Sequence, residues 1–170
     1  MASMESADWR MVEKTIIYDP IEELAKGLSP EEKANLELVI TELQGWDTQD
    51  VDKVLSVMAP DCVYYDVTGD PAIGHEGLRE FGDGWTGAVP DFTIFVESFV
   101  VEGNKVADLG RIEGTIKGEF FGNPATGKKF SCQYFQYCLI ENGKIKYVRD
   151  HWNAACMYNQ VGWDLMTLKV

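Results

Sequence analysis

Apolar residues in the first half of the chain recur at the spacing of amphipathic helices. Two runs place them at i, i+3, i+4 and i+7, one beginning at Leu36 and the other at Val51. The first run follows a helix-start signal, a serine with proline next to it and a glutamate at the third helical position, in Ser29 to Glu32. The pattern therefore predicts two helices, and a third helix, weakened by glycine, is predicted over 76–85.

The pattern changes to strand-like runs in the second half of the chain. One short strand is predicted over 62–67, before the third helix. The later runs are separated by turn residues and cover 92–101, 105–117, 129–140 and 144–152. A strongly bent sheet needs apolar cover on its concave side, and helices packed there close a cone. The predicted fold is α+β, a cone-shaped barrel in which a highly curved antiparallel sheet packs on three N-terminal helices.

The organisation along the chain is that of one domain. The 170 residues fit a single core. We expect residues 29–170 to form this domain and residues 1–28, whose periodicity is weak, to form an N-terminal arm with a short helical piece near Ile21. After the last strand, 154–168 is predicted to be a final helix or an irregular flap.

The excess of acidic residues makes some classes of binding partner unfavourable. The chain has 28 acidic and 15 basic residues, a net charge of −13, which disfavours nucleic acids and anionic membrane surfaces. The first fifteen residues are too polar for a signal peptide, so a cytoplasmic protein is expected. The four cysteines form no C-x-x-C pair and are expected to be reduced. The two histidines, His75 and His151, lie far apart, so no metal site is predicted.

Candidate chemistry comes from polar residues at alternate positions of the predicted strands, because residues two apart share a face. The candidate catalytic residues are Asp150, Arg111 and Glu113, and the candidate substrate-binding residues are Tyr64, Asp66, Trp85, Tyr134, Gln136 and Trp152. A carboxylate inside an apolar pocket is desolvated, which raises its pKa towards the range of a general base. Alternation leaves open whether Arg111 and Glu113 face this pocket or form a solvated pair on the outer surface.

The stretch from Gly114 to Lys128, GTIKGEFFGNPATGK, resembles a motif of the SnoaL-like polyketide cyclases, and 140–145 resembles their last hairpin. The resemblance covers about residues 33–163. It implies the α+β cone of the nuclear-transport-factor-2-like superfamily, in which many members are dimers. It also implies an acid–base aspartate at Asp150, while the active-site histidine of these cyclases is replaced here by Gln136.

A second resemblance concerns the site alone. Limonene epoxide hydrolases carry Arg-x-Asp on a middle strand and Arg-Asp on the last strand, and this chain has Arg111-Ile112-Glu113 and Arg149-Asp150. Their Tyr-x-Asn resembles Tyr64-Tyr65-Asp66. This resemblance implies that Asp150 would deprotonate water, Glu113 would protonate the epoxide oxygen and Arg111 would bridge the two acids.

Three functions follow as hypotheses. The first is a cofactor-independent acid–base enzyme, a cyclase, isomerase or lyase, that transfers protons on a hydrophobic, aromatic small molecule in an enclosed pocket. The second is an epoxide hydrolase using the same cluster. The third is a non-catalytic module that binds a small molecule or a protein, in which the pocket holds no working acid–base group. The expected partners are a hydrophobic small-molecule substrate and a second copy of the chain, with no nucleic acid and no membrane.

Overall fold

The structure, a computed structural model, describes residues 14–167. Its helices are α1 (Ile21–Leu24), α2 (Pro30–Asp47), α3 (Val51–Val57), α4 (Gly74–Ala88) and α5 (Ala154–Val161), followed by a short 3-10 helix at Leu165–Thr167. Its strands are β1 (Met58–Tyr65), β2 (Ala72–Ile73), β3 (Thr93–Glu102), β4 (Lys105–Thr115), β5 (Lys129–Glu141) and β6 (Lys144–Trp152). Within this part of the chain, no helix is long and apolar enough to cross a membrane.

The six strands form one curved sheet that does not close, in the order β2-β1-β6-β5-β4-β3. The predicted α+β class and the curved sheet packed on helices are confirmed. The prediction of a wholly antiparallel sheet is wrong at one place, because β1 runs parallel to β6. A hairpin forces its two strands to be antiparallel, whereas β1 and β6 are joined through most of the chain and carry no such constraint.

Helix α2 lies across the concave side of the sheet and begins as the sequence predicts. The Ser29 side chain accepts a hydrogen bond from the Glu32 backbone N–H at 3.2 Å, and the Glu32 side chain accepts one from the Ser29 N–H at 2.9 Å. Glu32 also accepts from the Gly103 N–H at 3.1 Å, which ties the start of α2 to the β3–β4 hairpin. The apolar stripe that follows, exemplified by Leu36 and Leu43, is fully buried.

The pleat of the central strands decides which side chains face α2. On β5 the even-numbered residues from Phe130 to Ile140 are buried, and on β4 the even-numbered residues from Val106 to Gly114 are buried. The odd-numbered residues point to the convex face, where Leu109 and Phe135 are 40% and 47% exposed. The predicted homodimer, for which this face is available, stays a prediction.

The described part of the predicted arm packs against the domain. Ile17 is buried in the core, and its carbonyl accepts a hydrogen bond from Gln44 Nε2 of α2 at 2.6 Å. The Ile16 N–H donates to the Val96 carbonyl on β3 at 3.2 Å. Residues 1–13 lie outside the described residues, and the boundary after residue 28 stays a prediction.

Removing the α2 cap tests whether it contributes to stability as its geometry indicates. We expect Ser29→Ala to lower the free energy of unfolding by about 1 kcal/mol, because the Glu32 N–H loses its acceptor. Ser29→Asp, which keeps an acceptor at the N-cap, should stay close to wild type. Urea denaturation of the three proteins measures both differences, and a Ser29→Ala protein as stable as wild type would contradict the prediction.

Candidate active site

A cavity opens between α2, α4 and the concave face of the sheet. The cavity itself is small, about 40 Å³, and about 530 Å³ of space lies between its walls when the open solvent at its mouth is included. All six residues predicted to bind substrate line it, together with Asp150, and they are Tyr64, Asp66, Trp85, Tyr134, Gln136 and Trp152. Strand alternation accounts for the residues of β1, β5 and β6, whereas Trp85 reaches the cavity from α4, and the roles of all six in binding remain predictions.

Strand register places acidic residues in one row on the concave face of the sheet, and part of this row lines the cavity. Asp108 of β4 is paired with Gln136 of β5, and Gln136 is paired with Asp150 of β6. On the other side of β6, Tyr65 pairs with Arg149, so the next residue, Asp66, comes beside Asp150. The row therefore reads Asp66, Asp150, Gln136, Asp108.

Arg111 and Glu113 do not join this row, and the prediction that they lie with Asp150 in the cavity is wrong. Both occupy odd-numbered positions of β4 and lie on the convex face, while Ile112 between them lines the cavity. There Arg111 Nε lies 3.3 Å from Glu113 Oε1, and the guanidinium stacks 4.3 Å from the centre of the Phe95 ring. The Arg–acid–Asp arrangement of an epoxide hydrolase is therefore not assembled.

Two buried acids, Glu42 and Asp108, were missed by the sequence reasoning. Glu42, in α2, is fully buried, and its two carboxylate oxygens accept hydrogen bonds from Trp46 Nε1 at 2.5 Å and Gln136 Nε2 at 2.9 Å. Asp108 accepts a hydrogen bond from the Tyr134 hydroxyl at 2.7 Å. Both lie on predicted apolar faces, because Glu42 comes three residues after Val39 of the helix stripe and Asp108 comes two residues after Val106. A charge in such a position is the signal that could have found them.

Burial dominates the electrostatics of these four acids. It raises the pKa of Glu42 from 4.5 to about 7 and raises the pKa of Asp108 well above its usual value. The pKa of Asp150 is also raised well above its usual value, first by burial and then by repulsion from Asp66, Asp108 and Glu42. The residues that line the cavity include no lysine, arginine or histidine, although the charge of His151, outside the lining, opposes the rise in the pKa of Asp66. A carboxyl here therefore holds its proton at a pH where an exposed one is ionised.

Asp66 and Asp150 differ in their hydrogen bonds. Asp66 accepts from Trp152 Nε1 at 2.9 Å and from the Thr68 N–H at 2.8 Å, and both bonds oppose the rise that burial causes in its pKa. Asp150 Oδ1 is buried and has no hydrogen-bond partner among the described residues. Of the two neighbouring acids, Asp150 is therefore the one whose ionised form is stabilised less by hydrogen bonds from the protein.

The upper walls of the cavity are aromatic. The rings of Trp85 and Trp152 meet edge to face with centroids 5.8 Å apart, and Trp85 meets Phe120 in the same way at 4.7 Å. Phe120 belongs to the loop with the GEFFGNP motif and stacks on Trp163 at 5.7 Å. The loop thus buttresses the cavity wall, which gives the motif a packing role.

The two histidines lie away from the cavity. His75 Nε2 is 3.1 Å from the Met58 carbonyl, and His151 accepts a hydrogen bond from Arg149 Nε at 3.0 Å on the exposed face of β6. Within residues 14–167, no group of three or more histidine, cysteine, aspartate or glutamate side chains is arranged to hold a metal ion.

Comparison with solved structures shows the same fold in several proteins. A candidate SnoaL-like polyketide cyclase from Jannaschia sp. CCS1 is 24% identical, with 78% of this chain and 94% of that chain covered and a TM-score of 0.73. TsrD from Streptomyces laurentii is 24% identical, with 79% and 98% covered and a TM-score of 0.69. TerC, co-crystallised with polyporic acid, is 18% identical, with 76% and 98% covered and a TM-score of 0.65.

Sequence comparison identifies the family. No curated protein matches the chain significantly. The model of one protein family, described as SnoaL-like polyketide cyclase, matches residues 38–161, which include more than half of α2, the whole of α4 and every strand. The chain therefore belongs to the SnoaL-like polyketide cyclase family.

Proposed function

We propose that the protein is a cofactor-independent acid–base enzyme that moves a proton on a hydrophobic, aromatic small molecule bound in the cavity. The observation that carries the proposal is the carboxyl group of Asp150 on the cavity floor, with Oδ1 buried and without a hydrogen-bond partner among the described residues. Membership of a polyketide cyclase family supports an enzymatic role, and the aromatic walls suit a flat ring.

Asp150 is the proposed base. Because burial and neighbouring acids raise its pKa, its ionised form binds a proton more strongly than an exposed aspartate does. It would take a proton from a carbon next to a carbonyl group, and the electron pair of that C–H bond would move to the carbonyl oxygen as an enolate. Asp66, held by Trp152 and Thr68, keeps a second carboxyl beside Asp150, so the two titrate as a pair.

Tyr64 is the proposed hydrogen-bond donor to the enolate oxygen. It lines the cavity, its hydroxyl forms no hydrogen bond within the described residues, and after burial the charge of Asp150 is the largest influence on its pKa. Burial raises the pKa of Tyr64 well above 10, so the hydroxyl keeps its proton and can donate it in a hydrogen bond.

The fate of the enolate decides the class of reaction. Return of the proton from Asp150 to another carbon would give an isomerase, attack on a carbonyl of the same molecule a cyclase, and loss of a leaving group a lyase. The family name favours ring closure. TerC, with its polyporic acid, supports a small-molecule ligand for this fold.

Replacing Asp150 tests the proposed base. We expect Asp150→Asn to slow proton removal by roughly 100- to 10,000-fold, because the amide cannot accept a proton at useful pH. The reaction is followed by NMR as hydrogen–deuterium exchange next to the carbonyl of 2-tetralone and related aromatic ketones in D₂O. This measurement reports proton abstraction whatever the final product is.

A matched control is Asp83→Asn, which removes an exposed acid from α4 outside the cavity lining. It should exchange at the wild-type rate. Equal exchange rates in wild type and in a folded Asp150→Asn protein would contradict the proposed role of Asp150. Ligand binding without exchange in any of the ketones would favour the binding-module hypothesis instead.

The raised pKa values also predict how stability depends on pH. A carboxyl whose pKa is raised by folding contributes stability below its unfolded pKa and loses it as the pH rises through the folded value. For Glu42, from 4.5 to about 7, this amounts to about 3 kcal/mol. Asp66, Asp108 and Asp150 act in the same direction.

The free energy of unfolding should therefore fall as the pH rises from 5 to 8. Urea denaturation at one-unit intervals measures it, at constant ionic strength so that screening of the net charge does not change. Below about pH 4 the trend should reverse, because exposed acids with lowered pKa values, such as Glu32 and Asp61, lose their partners. A stability that increases between pH 5 and 8 would show that the buried acids are not protonated as described.

A further inference from the structure

Glu42 is a buried acid that the proposed reaction does not use. It lies in the middle of α2, with no exposed surface and no cation among its hydrogen-bond partners. Burying a carboxyl in this way costs free energy, and an apolar residue would fill the same position of the helix stripe without that cost. Its contacts indicate what the acid does there.

The contacts of Glu42 fix the orientation of one amide on the cavity floor. Gln136 Nε2 donates to Glu42 Oε2 at 2.9 Å and also contacts Cys138 Sγ at 3.2 Å. Both N–H groups of the amide therefore point into the protein. The carbonyl oxygen of the amide forms no hydrogen bond within the described residues, and Gln136 lines the cavity directly beside Asp150 on the sheet.

We propose that Glu42 is a positioning residue that holds the Gln136 amide with its carbonyl oxygen towards the cavity, so that the position beside Asp150 accepts a hydrogen bond from a hydroxyl group of the substrate. The proposal rests on the function proposed above, because it concerns the same cavity. It makes Gln136 a determinant of specificity: ligands that present a donor there are favoured over ligands of equal shape that present only an acceptor.

The orientation depends on the charge of Glu42. The oxygen and nitrogen of an amide occupy nearly the same volume, so Gln136 can reverse with little change in packing. Ionised Glu42 can only accept, which requires the NH₂ group to face it. Protonated Glu42 can donate to the carbonyl oxygen, which would turn the NH₂ group towards the cavity.

Other ionisable groups interact with Glu42 from four strands of the sheet. They are Tyr64 on β1, Asp108 on β4, Tyr134 and Cys138 on β5, and Asp150 on β6. All are acids, so none stabilises the charge of Glu42. Burial raises the pKa of Glu42 to about 7, so both of its states are populated near neutral pH.

The variant Glu42→Gln tests the orientation of the Gln136 amide, because Trp46 fixes which way the new side chain must point. The indole N–H can only donate, so the new side-chain oxygen must face Trp46 and the new NH₂ group must face Gln136. The Gln136 amide should then reverse at every pH. The exposed Glu37 of the same helix provides the matched control, Glu37→Gln.

The ligand probes are 2-naphthol and 2-methoxynaphthalene, which share a ring system and differ in the donor hydroxyl. At pH 8 we expect wild type and Glu37→Gln to bind 2-naphthol roughly five- to tenfold more tightly than its ether, as one hydrogen bond allows. Glu42→Gln should lose or reverse this preference, and wild type should lose most of it at pH 6. Dissociation constants come from quenching of tryptophan fluorescence.

A second measurement needs neither ligand nor turnover. In ¹⁵N-labelled wild-type protein, the Gln136 side-chain amide signals, assigned by their absence in Gln136→Met, should shift with a midpoint near pH 7, and in Glu42→Gln the shift should disappear. An unchanged ligand preference in a folded Glu42→Gln protein overturns the proposal. If that variant does not fold or neither probe binds, a wild-type Gln136 signal that does not move between pH 6 and 8 overturns it. The two proposals fail separately. The exchange rate of Asp150→Asn tests the proposed base, whereas the ligand preference and the Gln136 signals test the role of Glu42.

Discussion

Four carboxyl groups are buried close together, two of them in the lining of one cavity, and hydrogen bonds from neighbouring side chains offset part of the cost of that burial. Water-excluded carboxylates are unfavourable unless they are protonated or receive hydrogen bonds. Two of the acids receive hydrogen bonds from indole N–H groups, which can only donate. Trp46 donates to Glu42, and Trp152 donates to Asp66. The protein supplies no such donor to Asp150 Oδ1 among the described residues. Asp108 Oδ2 is likewise without a partner among the described residues, but of these two acids it is Asp150 that lines the cavity, where a ligand could complete its hydrogen bonds.

The alternation of side chains in the pleated sheet places two of these acids on one face. Because alternate residues face opposite sides, one register sets Asp108, Gln136 and Asp150 in a row on the concave face. The same register puts Arg111 and Glu113 on the convex face, where the guanidinium stacks on Phe95 and pairs with the acid. Separating the cations from the acids in this way keeps the pKa values of the cavity acids high.

Much of the fold could be predicted from the sequence, because its signals are local. Helix caps, apolar spacing and turn residues located α2, α4 and the four long strands within a few residues. The parallel pairing of β1 and β6 could not be predicted, since no hairpin joins them and the contact depends on the whole fold. The short β2 strand, only two residues long, carries too little pattern to be recognised.

The site was predicted in part for a similar reason. Asp150 and the six lining residues lie on strand faces or helix stripes that the spacing identified. On β4, alternation does not decide which face points into the cone. The charged pair Arg111 and Glu113 favoured the wrong face because it resembles the motif of another enzyme. The apolar character of Val106 and Ile112 on the alternate face indicated the inner side more directly, and it would have brought Asp108 into the site.

Replacement of a histidine by Gln136 has a physical consequence for the proposed reaction. An imidazolium beside Asp150 would stabilise its ionised form and lower its pKa, which would make it a weaker base. A neutral amide adds no charge, so burial and the neighbouring acids keep the basicity of Asp150 high. A histidine could also return a proton to the substrate, which an amide cannot do. In the proposed reaction the returning proton would therefore come from the Asp66–Asp150 pair, whose two carboxyls would share the acid and base roles.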